Sequence, residues 1–330
     1  MLKTKIVYCL VSDNEDYYYE QLLISLYSFR KYNSNADITL IIDDKTRNTL
    51  VDKRTKVYDY VNNIITIIPP VEYNKPLLSR YIKTNIRDII KGDYLYIDTD
   101  TLICDSLSDI DNCAFEIGAV LDNHQGKVLE CQLDFLPEGH EWNSLRDSKH
   151  YNSGVFYVKD TPNTHDFYHI WYKYWQDGVK NGILFDQLPL RKTVIEFNKI
   201  NIGELDGIWN CQAFRTDSRP YWKNAKIFHC QGFAKNAFFP MTSTTVYEKI
   251  KRVGSIPADI VNFIENKPEN LLRKSMIIEG RDLDFYESPM RMTYYNYPRM
   301  FSFFVGLLSA YRFLASSILS ISKKMKSIFS

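Results

Sequence analysis

The chain has 330 residues, 45% hydrophobic and 25% charged, a mix that can bury a core and excludes a disordered tail or a fibre. Its 41 Lys and Arg nearly cancel its 40 Asp and Glu, which gives no basis for nucleic-acid binding. The balance is uneven, however: no acid follows Glu287, whereas Arg291, Arg299, Arg312, Lys323, Lys324 and Lys326 do, so the C-terminal end alone suits an anionic surface.

In chain order, Ile6 to Val11 is a short β-forming run, and Tyr17 to Tyr32 carries Leu22, Leu23, Leu26 and Phe29 at helical spacing. A second unit follows, with a strand at Ile38 to Ile42, a helix at Lys45 to Tyr60 and a strand at Ile64 to Ile68, stopped by Pro69 and Pro70. Ser79 to Lys91 reads as a helix. Gly92-Asp93 then turns the chain into the buried strand Tyr94 to Ile97, which ends in Asp98-Thr99-Asp100. Further strands are expected at Phe115 to Leu121, Gly154 to Val158 and Ile227 to His229, with an aromatic helix at Asp166 to Gln176. Alternating strands and helices imply an α/β domain with a mostly parallel sheet, whose ligands bind at the carboxyl ends of the strands.

The apolar run at the start is too short for a signal peptide, and six cysteines without a C-x-x-C pair read as reduced thiols. Both point to a cytoplasmic protein.

Three sets of residues can carry chemistry. Asp98 and Asp100, one residue apart on a turning backbone, can both reach one divalent cation and leave positions open for phosphate oxygens. Asp109-Ile110-Asp111 and Asp282-Leu283-Asp284 repeat the pattern, so position behind a buried strand is what distinguishes the first. His229 to Lys235 offers an imidazole, a glycine at 232 for close backbone approach and a lysine for pyrophosphate. Asn152-Ser153-Gly154 and Asp186-Gln187 hold the donors and acceptors that sugar hydroxyls need, although each is equally a turn or a cap. His165 and His169 have zincin spacing, but the catalytic glutamate is missing.

The order of these pieces, Arg80 in Leu-Ser-Arg-Tyr, Tyr96-Ile-Asp-Thr-Asp100, Tyr151-Asn-Ser-Gly-Val155, Asp186-Gln187 and His229-x-x-Gly232-x-x-Lys235, resembles glycosyltransferase family 8, which includes bacterial lipooligosaccharide galactosyltransferases and glycogenin. The match spans roughly residues 5 to 240. It implies a GT-A fold, the Rossmann-like fold of nucleotide-diphospho-sugar transferases, with a UDP-sugar donor and Mn2+ or Mg2+ held by Asp98, Asp100 and His229. By the same resemblance Arg80, Lys235 and the backbone near Gly232 contact the donor diphosphate. Asp122 and Asn152 touch the donor sugar, Asp186 and Gln187 flank the reacting carbon, and Val11, Ser12 and Asp13 hold the uridine. Two departures are visible: Asn236-Ala237 where the family often has Pro-Trp, and Ser153 in place of a common Ala.

Met300 to Ile321 carries a single charge, Arg312, and is long enough to cross a bilayer. An arginine near the centre of a span costs roughly 2.5 to 3.5 kcal/mol. Ser302, Ser309, Arg312, Ser316, Ser320 and Lys323 form one polar stripe opposite Phe301, Phe304, Val305, Leu308, Leu314, Ile318 and Leu319. That pattern suits a helix lying in the plane of an anionic leaflet, with packing on the catalytic domain as the alternative.

The sequence therefore implies a GT-A catalytic domain at 1–245 and a helical C-terminal region at 246–330. It reads as a metal-dependent, retaining hexosyltransferase, peripheral on the inner face of the cell membrane, acting on a glycan or lipid-linked acceptor in surface polysaccharide or lipooligosaccharide assembly. Three rivals remain: a non-catalytic sugar-nucleotide or glycan-binding module of the same fold; a sugar nucleotidyltransferase, against which the Gly-free, Lys- and Arg-free stretch Ser12 to Tyr19 argues; and a membrane scaffold acting through its tail.

Overall fold

The computed structural model describes residues 2–69, 73–125, 139–142, 145, 149–213, 216–232 and 240–265, with scattered positions between 297 and 311. By internal contacts the chain divides into Met1–Leu272 and Arg273–Ser330. The division expected from sequence was at 245/246.

The first unit is an α/β body around a seven-stranded sheet, in the order β3-β2-β1-β4-β7-β6-β8. Its strands are β1 (Lys5–Leu10), β2 (Ile38–Asp43), β3 (Asn63–Ile67), β4 (Tyr94–Ile97), β6 (Ile117–Leu121), β7 (Tyr151–Val158) and β8 (Ile202–Glu204). Only β7 runs antiparallel to its neighbours, β4 and β6. Both faces are covered, which is why β1, β2 and β4 read as nearly unbroken apolar runs. Tyr8 meets Ser25 of α1 (Tyr18–Tyr32) on one face. Val7, Cys9, Tyr94 and Tyr96 share the opposite core with Leu78, Ile82, Phe167, Trp171 and Leu190. Those residues come from α3 (Lys75–Thr84), α5 (Pro162–Lys180) and α6 (Gln187–Glu196); the short α4 (Ile86–Ile89) adds Ile86.

A second sheet, order β5-β10-β9, joins β5 (Thr101–Ile103), β10 (Ile227–His229) and β9 (Cys211–Gln212). Sequence reading missed β5, β8 and β9, which are two or three residues long and carry too little periodicity to be seen. It also expected one helix over Lys45 to Tyr60. The chain instead forms α2 (Asp44–Thr49), breaks, and continues as a 3-10 helix over Asp52–Asp59, with Asp52 at φ +48°. The helix expected at Ser79 to Lys91 begins at Lys75, capped by the Asn74 side chain, and breaks at Asn85.

Beyond residue 245 the compact unit continues through α7 (Thr244–Val253) and α8 (Ala258–Glu265). Both attach to the α1 region: Tyr17 packs on Tyr247 with ring centroids 5.6 Å apart, and Tyr27 donates to Glu265 at 2.8 Å. Of the second unit, Met300, Phe303, Phe304, Leu307 and Tyr311 are exposed. Most of the expected in-plane helix lies outside the described residues. Among the described residues, no helix is long and apolar enough to cross a membrane.

Candidate functional site

The two sheets meet at the candidate site. Asp98 follows β4 directly, and its backbone N–H donates to the Gly154 carbonyl at 2.8 Å. The chain then turns through Thr99 and Asp100 into β5, which leaves the large sheet and pairs antiparallel with β10 in a register that sets Thr101 opposite His229. The Cys230 N–H donates to the Asp100 carbonyl at 2.7 Å, so the acidic turn and the imidazole are cross-strand neighbours despite their distance in sequence. Because β7 is antiparallel, its first residues, Asn152, Ser153 and Gly154, lie where β4 and β6 end. Asp122, just past β6, joins them there.

Asp98, Asp100 and His229 each offer a ligand atom within 4.8 Å of the other two. His229 Nε2 is 3.2 Å from Asp100 Oδ1 and 3.8 Å from Asp98 Oδ2. The donor set of two carboxylates and one imidazole fits a hard or borderline divalent cation. The packing fits as well: a Cβ on Gly154 would lie 2.2 Å from His229 Cε1 and 2.8 Å from Asp98 Oδ2, so only glycine leaves the space the group occupies. Burial would lower the His229 pKa, but Asp100 and Asp98 outweigh it and hold it above the ordinary value. The Asp100 carboxyl, which burial would raise, is held below its usual range chiefly by His229.

The other predicted residues assemble beside this group. Asp122 Oδ1 accepts from Asn152 Nδ2 at 2.8 Å and from Gln187 Nε2 at 3.1 Å. Asp186 is the residue before α6, yet its carboxylate makes no cap bond. It accepts from Ser153 Oγ at 2.8 Å and lies 3.9 Å from Arg80 Nε. Burial pushes the Asp186 carboxyl up, and Lys83, Arg80 and Ser153 more than reverse this, so it is an anion at neutral pH. A cleft of about 340 Å³ opens in front, lined among others by Val11, Asp16, Tyr18, Lys75, Arg80 and Asp100.

The remaining candidate residues are placed as follows. Asp13 is bound to Lys75 at 2.6 Å, which, with the N–H groups of Glu15 and Asp16, lowers its carboxyl to about 2; Asp16 and Tyr18 line the cleft beside it instead. Gly232, at φ +79°, lies in an exposed loop after β10, and Lys235 lies outside the described residues. His165 and His169 are paired with Asp160 at 3.0 Å and Asp88 at 3.1 Å on an exposed face, which accounts for that spacing without a metal.

Sequence reading missed Lys83. Its ammonium lies 3.2 Å from Asp98 Oδ1 and 3.7 Å from Asp186 Oδ2, nearer to both acids than Arg80 is to Asp186. The signal was its position three residues after Arg80, on the same helix face. It also missed Asn210, which is 19 residues from His229 and belongs to no motif.

No family model matches the chain, and no curated protein matches it. Among solved structures, it is similar to mouse xyloside xylosyltransferase 1 at 13% identity, covering 69% of this chain and 97% of that one, with a TM-score of 0.47. It is similar to the galactosyltransferase LgtC, solved with donor and acceptor sugar analogues, at 14% identity, covering 78% and 98%, TM-score 0.47. A third is the glycosyltransferase GlyE of Streptococcus pneumoniae TIGR4, at 15% identity, covering 83% and 65%, TM-score 0.47. At such identities these are likenesses in the course of the chain.

Proposed function

We propose that the protein is a metal-dependent, retaining glycosyltransferase of GT-A type that moves a hexose from a UDP-sugar to a glycan or lipid-linked glycan. The observation that carries this reading is the convergence of Asp98, Asp100 and His229 beside a second cluster, Asp122, Asn152, Asp186 and Gln187, where β4 and β6 end and β7 and α6 begin. One cluster suits a cation and the other suits sugar hydroxyls.

Cleaving the bond between an anomeric carbon and a diphosphate builds negative charge on the leaving oxygens and positive charge on the sugar. A manganese or magnesium ion held by Asp98, Asp100 and His229 would supply a Lewis acid for the diphosphate. Arg80, which lines the cleft, would add positive charge toward the diphosphate. Asp186, ionised and buried, sets a fixed negative charge on the sugar side, while the amides of Asn152 and Gln187 orient Asp122 as an acceptor for sugar hydroxyls. When the acceptor enters from the face the diphosphate leaves, a departing phosphate oxygen takes its proton, and no side-chain base is required. Val11 and Tyr18 line the cleft and would flank the nucleoside. For a lipid-linked acceptor, the exposed apolar residues near 300 and the basic end of the chain would hold the enzyme on an anionic cytoplasmic leaflet.

The experiment is UDP release from a panel of UDP-sugars, with and without manganese, by the wild type and by Asp100→Asn. Turnover that needs manganese and falls about a thousandfold in the variant is expected, by analogy with the loss of one preorganised stabilising group. Metal-independent turnover, or none with any donor, would sink the reading.

A further inference from the structure

His229 is one end of a buried chain of side chains. Its Nδ1 lies 3.0 Å from Asn210 Oδ1, Asn210 Nδ2 lies 2.8 Å from Asn152 Oδ1, and Asn152 Nδ2 lies 2.8 Å from Asp122 Oδ1. Asn210 is 0% exposed, Asn152 2% and His229 3%, so water does not compete for these bonds. An isolated amide can point either way, and an isolated neutral imidazole can carry its proton on either nitrogen. Two anchors remove the choice for the amides, and through them Asn210 draws the imidazole proton to Nδ1, against Asp100 Oδ1, which lies 3.2 Å from Nε2. The Asp122 carboxylate only accepts, so Asn152 must present its NH2 group there. The Gly154 backbone N–H, which only donates, reaches the Asn152 Oδ1 at 2.9 Å and confirms the same orientation. With that oxygen accepting, Asn210 must donate through Nδ2 and accept through Oδ1, and the group facing its Oδ1 has to be N–H on His229 Nδ1.

We propose that Asp122, Asn152 and Asn210 form a relay of bond polarity that fixes His229 as its Nδ1–H tautomer, leaving the Nε2 lone pair for a cation between Asp98 and Asp100, with Asn210 as the positioning residue. The inference rests on the metal-site reading above and deepens it. Because Asp122 Oδ1 also receives Gln187 Nε2, the relay joins the cation end of the site to its sugar end. Groups that orient a ligating imidazole change metal affinity by about 10- to 100-fold when removed.

The test is manganese binding to the full chain without nucleotide, followed by the electron-spin resonance of free Mn2+, together with the nitrogen chemical shifts of the metal-free His229 imidazole at a pH where it is neutral. Asn210→Leu is expected to lose 10- to 100-fold in manganese affinity and to release the Nδ1–H tautomer. Asn210→Asp still accepts from Nδ1–H but cannot donate to Asn152; it is expected to keep manganese affinity while the donor KM rises about tenfold, the scale of one lost hydrogen bond. A folded Asn210→Leu with unchanged affinity and tautomer overturns the relay and leaves the metal reading standing. If Asn210→Leu does not fold, equal losses of metal and donor binding in Asn210→Asp overturn it. A wild type that shows the tautomer, loses it in Asn210→Leu and binds no manganese upholds the relay and sinks the metal reading.

Discussion

Two Asp-x-Asp segments lie eleven positions apart, Asp98-Thr99-Asp100 and Asp109-Ile110-Asp111, and they differ in everything but pattern. The first turns between two sheets, meets His229 and Lys83 at 3.2 Å each, and opens onto a cleft. The second lies in the 3-10 turn Ser108–Asn112, where Asp111 accepts from the Thr4 N–H and hydroxyl at 2.8 and 2.7 Å and from the Lys3 N–H at 2.9 Å. Asp109 faces solvent and Lys226. Asp111 fastens the start of the chain to the body, with both of its oxygens already accepting, while Asp109 stays open to solvent with Lys226 as its partner. The third instance, Asp282-Leu283-Asp284, lies outside the described residues. What separates a ligand pair from a fastening is therefore whether the surrounding donors leave room for a cation.

The largest effect should come from closing that room. Gly154→Ala places a methyl group against His229 and Asp98, with no flexible chain end to give way but the imidazole itself. Displacing one of three ligands is expected to cost about a hundredfold in manganese affinity, on the scale of lost ligand orientation. Calorimetric titration of manganese into the folded variant checks it. Unchanged affinity would mean that the space in front of Gly154 is not the cation's.

The contrast also shows what was legible in the chain. Asp98, Asp100, Asp122, Asn152, Asp186, Gln187 and His229 were all named from sequence or from the resemblance it carries, and all come together: Asp98, Asp122, Asn152 and His229 lie at strand ends, and Asp186 and Gln187 at the start of α6. What sequence did not show was the reason they meet. β5 and β9 are three and two residues long, yet they carry Asp100 up to His229 and place Asn210 behind it. Arg80 was named from the resemblance alone, and Lys83, three residues on and on the same face of α3, belongs to no motif that would have drawn attention to it.

A second difference is the cation that each acidic pair keeps. Lys83 is nearly buried between Asp98 and Asp186, and their charges more than offset the burial that would lower its pKa. Lys226 meets Asp109 at 2.9 Å, but that carboxylate is 72% exposed. Lys83→Met should remove the nearest cation from both Asp98 and Asp186 and reduce kcat/KM about 30-fold, equivalent to roughly 2 kcal/mol for bonds to charged groups. Lys226→Met should leave kcat/KM unaltered, since exposed pairs contribute about 0 to 1 kcal/mol and lie away from the chemistry. Equal kinetics for the two variants would break the comparison.

The two segments also answer pH differently. The metal-free His229 has a raised pKa, so below it the imidazole holds a proton on the nitrogen a cation needs. Manganese affinity should fall by about tenfold for each pH unit below that pKa and level off above it. For the metal-free fold the sign is opposite: a raised histidine contributes stability that is full below its unfolded value near 6.5 and is lost as pH rises through the folded value. Binding curves for manganese across neutral and mildly acidic pH, beside melting curves in chelator, test the two signs separately.

The smallest effects belong to the fastening pair. Burial would raise the Asp111 carboxyl, but the Thr4 hydroxyl and the Thr4 and Lys3 N–H groups hold it below its usual range, so it contributes stability above the unfolded pKa and loses it as pH falls through the folded one. Asp111→Asn replaces an acceptor that holds several donors with a group that accepts through one oxygen, and should cost about 1 to 2 kcal/mol by denaturant titration, with manganese affinity unchanged. Asp109→Asn, at an exposed carboxylate, should fall within about 0.5 kcal/mol of the wild type. A loss of manganese binding in either variant would mean that the start of the chain is coupled to the site through β1, whose pairing with β4 is the shortest route between them.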